Sequence, residues 1–169
     1  MRLATILDRC LSIERRAGEL YRRFAEASAR HADLQAVWRR FAAEEDEHAA
    51  AIAIARATID PEVADRSRVG GWEDALARAE AVLSEGEQVV AATLDDQLTL
   101  ALDLERTEID VLRHVLLHLS GQAADTGAAT SRHALELADL ATRHSTDARV
   151  QLREAMIRAH ERLGVGPLV

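Results

Sequence analysis

Apolar residues recur at intervals of three and four along most of this 169-residue chain, which is the spacing of one face of an α-helix. The pattern predicts four long helices, over about residues 3–29, 33–59, 88–119 and 131–163. Asp33 is predicted to cap the second helix, since aspartate is a favoured N-cap residue. That helix is predicted to stop near Ile59, because Asp60-Pro61 opens a new segment.

The connections between these helices differ in length, and their lengths indicate which helices pack side by side. The break over residues 30–33 is short, so the first two helices should be antiparallel neighbours. Residues 60–87 form a longer connection, interrupted at Gly70-Gly71, with a short helix predicted over residues 72–83. Such a crossover can run the length of a bundle. The pattern therefore predicts a single all-α domain, a four-helix bundle of two antiparallel hairpins joined by a long crossover.

The amino-acid composition supports this fold and limits the classes of partner that the protein is expected to bind. The chain is rich in strong helix formers and has only two prolines. Its net charge is −8, and its 21 basic residues, all arginine, form no cluster along one face. We therefore expect neither nucleic acid nor a membrane surface as a partner. The absence of a signal-like segment and the single cysteine, Cys10, favour a cytoplasmic location.

A carboxylate and an imidazole interrupt the apolar stripe of the second helix. Glu45 and His48, three residues apart, stand where apolar side chains are expected. The stripe consists of Leu34, Val37, Phe41, Glu45, His48, Ile52, Ala55 and Ile59. Burying such groups is costly unless something satisfies them, and a bound metal often does so for a Glu-x-x-His pair in a helix bundle.

Other predicted inward positions also carry groups that bind metals. They are Glu14 in the first helix, Glu105 and Glu108 in the third, and His144 in the fourth. Tyr21, seven residues after Glu14, lies on the same stripe and could hydrogen-bond to a ligand carboxylate. The alternative is a layer of buried Glu–Arg pairs. Metal binding is favoured because several acidic residues fall on inward stripes independently, although Glu108 and His144 fit an ordinary core equally well.

These motifs carry a resemblance to a known family. The run from Glu14 to Tyr21 (ERRAGELY), followed by Glu45-x-x-His48, resembles the rubrerythrin branch of the ferritin-like superfamily. Glu105-x-x-Glu108 is also similar to the paired glutamates of rubrerythrins. The resemblance implies two irons held inside a ferritin-like four-helix bundle. The ligands it implies are Glu14, Glu45, His48, Glu105, Glu108 and His144, with Tyr21 beside them.

The resemblance also implies an activity. An iron-dependent oxidoreductase of this type would reduce hydrogen peroxide or dioxygen while Fe(II) is oxidised, with manganese as the alternative metal. A single cysteine leaves no Cys-x-x-Cys pairs for a rubredoxin-like domain. The electron donor is therefore expected to be a separate molecule. Bundles of this family commonly pair, so a homodimer or a larger homo-oligomer is expected.

One position departs from the family pattern. A glutamate is expected three residues before His144, but that residue is Ala141. Three alternatives stay open. Glu108 or Asp147 could replace the missing ligand of a two-metal site. A single metal could bind Glu14, Glu45 and His48, with Glu105 as a fourth ligand. Finally, the chain could be a metal-poor bundle that serves as a structural or assembly module.

Overall fold

The computed structural model describes residues 1–67, 70, 72–88, 93–105 and 107, and six further residues between 136 and 143. These residues form helices and contain no strand, which confirms the all-α prediction. The five helices are α1 (Leu3–Ala27), α2 (Ala32–Thr58), α3 (Pro61–Arg66), α4 (Glu73–Gln88) and α5 (Leu94–Glu105). The six further residues, 136, 137, 139, 140, 142 and 143, are also helical.

Helix α2 runs back along α1. The side-chain contacts between the two helices follow the chain in opposite order: Asp8 with Arg56, Glu14 with His48, and Tyr21 with Trp38. Near the connection, the Gln35 amide donates a hydrogen bond to the carbonyl oxygen of Ala25 at 3.1 Å. This order sets the register that brings the predicted site residues of the two helices face to face.

The buried face of α1 is the predicted one, whereas that of α2 is wider than predicted. Every predicted inward residue of α1 is buried: Leu3, Leu7, Cys10, Glu14, Ala17, Tyr21 and Phe24. In α2, Trp38, Ala42 and Ala49 are buried beside the predicted stripe. The predicted stripe is narrower than the buried face of α2 because alanines lie on the exposed as well as the buried side of this helix, so that a period of 3.6 residues is weakly expressed.

Two predicted helix limits are wrong. Asp33 does not cap α2, which begins at Ala32 with His31 in the N-cap position. The Asp33 carboxylate lies instead in the first helical turn, where the helix dipole also favours a negative charge. The third long helix does not start at Gln88, because that residue ends α4. The next described helix, α5, begins at Leu94 after a reciprocal cap between Thr93 and Asp96.

The crossover contains more helix than predicted. Asp60 accepts hydrogen bonds from the backbone N–H groups of Glu62 and Val63, and Pro61 occupies the first turn of α3. The short helix predicted over residues 72–83 corresponds to α4, which continues to Gln88. Leu76, Ala79 and Leu83 of α4 are buried in the common core. Helix α4 is thus packed against the same core as α1 and α2.

The segment around residue 140 packs on the same core. Leu137 and Leu140 are fully buried in it, and Glu136 forms an ion pair with Arg40 of α2. The predictions for residues 108–119, and for the remainder of 131–163, lie outside the described residues. Within the described part, no helix is both long enough and apolar enough to cross a membrane.

Candidate metal centre

Helices α1 and α2 bring two carboxylates and an imidazole together in the interior. Nδ1 of His48 lies 3.0 Å from Oε2 of Glu45 and 3.7 Å from Oε2 of Glu14. Each of the three residues offers one donor atom within 4.8 Å of the others. The side chain of Glu14 is only 3% exposed, that of Glu45 9% and that of His48 16%. We refer to Glu14, Glu45 and His48 as the carboxylate–histidine cluster.

The positions of the cluster follow from helix geometry. Glu45 and His48 are three residues apart, so both project from one face of α2. Glu14 faces them from α1 because the helices are antiparallel in this register. Ile13, next to Glu14, and the stripe residues Phe41 and Ile52 are almost fully buried. The cluster is therefore a polar site surrounded by apolar packing.

The charges and donor types of the cluster suit a divalent cation. Two carboxylates buried near each other carry a desolvation cost and repel, and a cation between them reduces both effects. Two carboxylate oxygens with one imidazole nitrogen are a donor set typical of iron or manganese sites, whereas structural zinc sites commonly use thiolates. The residues present fit such an ion, and His48 is the most exposed of the three side chains.

Glu105 lies next to Tyr21. The phenolic O–H of Tyr21 donates a hydrogen bond to Oε1 of Glu105 over 3.4 Å, so the expected contact between Tyr21 and a carboxylate is present. Glu105 is half-buried at the end of α5 and is not part of the three-donor group. The structure thus gathers Glu14, Glu45 and His48. Glu105 contacts Tyr21, which lies two helical turns beyond Glu14 on α1. Glu108, Ala141, His144 and Asp147 lie outside the described residues.

Sequence reasoning missed Trp38, which is fully buried beside Tyr21. The two rings stack with centroids 5.8 Å apart and planes 7° from parallel. A signal for this contact exists in the sequence. Tyr21 follows Glu14 by seven residues on α1, and Trp38 precedes Glu45 by seven on α2. In an antiparallel pair, residues two turns away from facing residues also face each other.

Cys10, one turn before Glu14 on α1, is fully buried. Burial raises the pKa of its thiol to about 12, and the negative charge of Glu14 adds to this effect. The thiolate is the form that binds metals and reacts. Cys10 therefore stays protonated at neutral pH and packs as a small buried apolar residue.

No protein-family model matches this chain, and no curated protein or solved structure does so either. The resemblance to rubrerythrins accordingly stays an interpretation of short motifs. The geometry of the carboxylate–histidine cluster is independent of that resemblance, since it follows from the packing of α1 on α2.

Proposed function

We propose that this chain binds iron at the carboxylate–histidine cluster and acts as a rubrerythrin-like oxidoreductase inside a ferritin-like four-helix bundle. The observation that supports the metal site is the convergence of Glu14, Glu45 and His48, with donor atoms within 4.8 Å of one another in an apolar surrounding. Iron held there would supply electrons and Lewis acidity for the reduction of hydrogen peroxide or dioxygen.

Each protein group has a distinct task in this proposal. The carboxylates of Glu14 and Glu45 balance the charge of a divalent ion and favour its oxidised form. His48 supplies a nitrogen ligand, and its contact with Glu45 fixes the orientation of the ring. Three protein ligands leave coordination positions open to a small oxidant. The hydrogen bond from Tyr21 orients the carboxylate of Glu105 as a further ligand or proton acceptor.

The described cluster accounts for one ion per chain. A second ion would need donors from Glu105, Glu108 and His144, with the position of the usual bridging carboxylate held by Ala141. Manganese is the alternative metal for the same donors. The electrons for repeated turnover are proposed to come from a separate donor, since the single cysteine cannot build an iron–sulfur or rubredoxin-like site.

The test is the iron content of the protein after loading with Fe(II) without oxygen, compared among the wild type and three variants. Glu45→Gln and His48→Gln each remove a donor and keep the side-chain size close to the original. Glu47→Gln is the matched control, because Glu47 is exposed on the same helix. We expect about one iron per chain in the wild type and the control, and at least a ~10–100-fold weaker affinity in the two cluster variants.

The oxidase step is tested on the same samples by the rate at which bound Fe(II) is oxidised by hydrogen peroxide. Wild type and Glu47→Gln should oxidise iron faster than Fe(II) free in buffer, and Glu45→Gln and His48→Gln should not. Equal iron retention in all four proteins would refute the metal site. Retention without accelerated oxidation would refute the oxidoreductase and leave a metal-binding protein.

A metal-poor structural bundle is the second candidate, and the position of His48 favours it. Nδ1 of His48 lies 3.0 Å from Glu45 and 3.7 Å from Glu14, so the imidazole is a polar partner for these buried carboxylates without a metal. In that case His48→Gln should destabilise the metal-free protein, because it removes the polar group that lies between two buried carboxylates. Added Fe(II) should then leave the unfolding midpoint of the wild type unchanged.

A further inference from the structure

Helix α4 is attached to α1 by charged side chains in a regular register. Two ion pairs, Arg9–Glu80 and Arg16–Glu87, each join residues that are 71 positions apart, so the two helices run parallel. Arg16 also donates a hydrogen bond to the hydroxyl of Ser84 at 3.0 Å. The four charged side chains are 28–48% exposed. We refer to these two solvent-facing pairs as the charge ladder.

The apolar contact of α4 is narrow. Of its 16 residues, five are buried, and the two large side chains among them are Leu76 and Leu83. The other three are Ala75, Ala79 and Gly86. An element that buries little apolar surface opens locally at a lower free energy than the core of the same protein. The charge ladder is therefore a large part of what holds α4 in place.

The chain on either side of α4 has attachments of its own. Before α4, the backbone N–H of Leu3 donates a hydrogen bond to the carbonyl oxygen of Ser67 at 3.1 Å. Gly70 follows, is exposed, and would meet no atom within 4 Å if it carried a Cβ, so the connection can bend there. After α4, the reciprocal cap of Thr93 and Asp96 starts α5. Both flanking helices can thus keep their positions when α4 moves.

Cys10 lies next to the contact between α1 and α4. Its side chain is 0% exposed, and the charges of both Arg9 and Glu80 act on its thiol. Burial raises the pKa of this thiol to about 12, so almost no thiolate, the reactive form, is present at neutral pH. A thiol in water has a pKa of about 8.5. The reactivity of this single cysteine therefore reports whether its cover is in place.

We infer that α4 is a strap that detaches from α1 as a unit while the α1–α2 hairpin stays folded, and that the charge ladder sets how often it does so. Detachment uncovers the side of α1 that carries Cys10. Because Glu14 is one turn further along α1, solvent then comes within one turn of the carboxylate–histidine cluster. Salt screens exposed charges, so the strap opens more often as the ionic strength rises. The inference does not depend on a bound metal.

The experiment measures how fast iodoacetamide alkylates Cys10 in the full chain, relative to free cysteine, by mass spectrometry. The rate is followed from zero urea to above the unfolding midpoint. A thiol that is uncovered only by global unfolding reacts with the full urea dependence of that transition. Detachment of α4 alone exposes less surface, so we expect a shallow dependence at low urea that joins the steep one near the midpoint.

Charge reversal tests the role of the charge ladder. Arg9→Glu and Glu80→Arg should each raise the rate at zero urea by at least about 3-fold, since repulsion replaces attraction. The double variant restores an opposite pair and should return within about 2-fold of the wild type. Asp8→Arg is the matched control, because Asp8 forms an exposed ion pair with Arg56 that joins α1 to α2 instead. It should leave the rate at zero urea within about 2-fold of the wild type.

In the wild type, a change from 0.05 M to 1 M NaCl should raise the rate at zero urea about 2–5-fold. The full urea dependence at every urea concentration would overturn the strap, since Cys10 would then be uncovered only by global unfolding. A double variant that stays as fast as the single variants would overturn the role of the charge ladder. An equal effect of Asp8→Arg would place the opening between α1 and α2 and would also overturn the inference.

Discussion

Trp38 has two properties by which the contribution of its side-chain volume to stability can be separated from that of its indole N–H. Its side chain is fully buried against Tyr21, Phe24 and Phe41, yet its indole N–H has no hydrogen-bond acceptor among the described residues. Trp38→Ala should lower the free energy of unfolding by about 3–5 kcal/mol, because it opens a large cavity. Trp38→Phe keeps most of the packing and loses no hydrogen bond.

The substitution Trp38→Phe should therefore cost less than half as much as Trp38→Ala. Urea unfolding followed by circular dichroism measures both values, and this signal does not depend on the tryptophan itself. Similar losses in the two variants would show that the indole N–H makes an important interaction. Such a result would contradict the assignment of Trp38 as an apolar packing residue.

Gly18 and Gly86 allow a second comparison, since both lie inside helices. A Cβ at Gly18 would meet its nearest neighbours, Asp46, Ala42 and Arg22, at 3.4–3.5 Å, which is ordinary contact. Gly18→Ala should thus raise the free energy of unfolding by about 0.5–1 kcal/mol through helix propensity. A Cβ at Gly86 would lie 3.0 and 3.1 Å from the two methyl groups of Leu20.

Leu20 is buried in the core and has little room to move. Overpacking typically costs about 1–3 kcal/mol, which exceeds the gain in propensity, so Gly86→Ala should lower stability. Opposite signs in urea unfolding are the expected result. A stabilising Gly86→Ala would mean that Leu20 repacks without cost, and that α4 is held less tightly against α1 than the contact indicates.

From the sequence, the candidate site was predictable only for residues whose relative positions are set within a single helix. Glu45 and His48 were found because their spacing places both on one face. Their convergence with Glu14 depends on the register between α1 and α2, which a sequence pattern constrains but does not define. The Tyr21–Trp38 stack depends on the same register and was missed, because Trp38 stands one position beyond the stripe residue Val37.

At the scale of helices, arginine–carboxylate pairs join α4 to α1. Arg9 donates from Nε and Nη2 to the two carboxylate oxygens of Glu80, at 2.7 Å each. Seven residues further along each helix, Nε of Arg16 donates a hydrogen bond to Oε1 of Glu87 at 2.7 Å. The hydrogen bond from Arg9 lowers the pKa of Glu80, and Arg16 acts in the same way on Glu87.

A lowered folded-state pKa makes stability depend on pH in a definite direction. The ionised Glu80 contributes stability above its ordinary pKa of 4.5, and the contribution disappears as the pH falls through the lowered folded-state value. Glu80→Gln should therefore be less stable than the wild type at neutral pH, by less than about 1 kcal/mol because the pair is partly exposed. The difference should shrink toward zero in acid.

Urea unfolding of the two proteins at a series of pH values measures this difference. Glu62→Gln is the control, since Glu62 pairs with Arg66 within α3 and both side chains are more than 70% exposed. The control should show only a few tenths of a kcal/mol at any pH. A Glu80 effect that stays constant into acid would attribute it to packing of the side chain rather than to its charge.

Helix limits were predictable where the chain carries a strong local signal, and otherwise not. Asp60-Pro61 marks the start of a helix by its cap and its first-turn proline, so a boundary is predictable there from the sequence. The Thr93–Asp96 cap has the same kind of signature, but the apolar residues before it continue the pattern and concealed the end of α4. Hydrophobic periodicity gives the type of an element more readily than its ends.

At the scale of the whole molecule, the described arginine–carboxylate pairs lie at the surface, whereas the carboxylate–histidine cluster is in the interior. This arrangement links the proposed metal site to global stability, because the two helices that carry the cluster also form most of the described core. An ion that binds only the folded chain stabilises it by about 2.7 kcal/mol when present at 100 times its dissociation constant. For a chain of this size that corresponds to roughly 5–10 °C in Tm.

We therefore expect Mn(II), used as a stable substitute for Fe(II), to raise the Tm of metal-free protein by several degrees, and a chelator to reverse the effect. Ca(II) at the same concentration should have little effect, because it requires six to eight oxygen ligands and the cluster offers two carboxylates and a nitrogen. Glu45→Gln should abolish the response to Mn(II), whereas Glu47→Gln should retain it.

If Ca(II) and Mn(II) acted equally, or if Glu45→Gln still responded, the stabilisation would come from the 29 acidic residues of the chain at large. The cluster would then be a polar contact between two helices, and the oxidoreductase would lose its metal site.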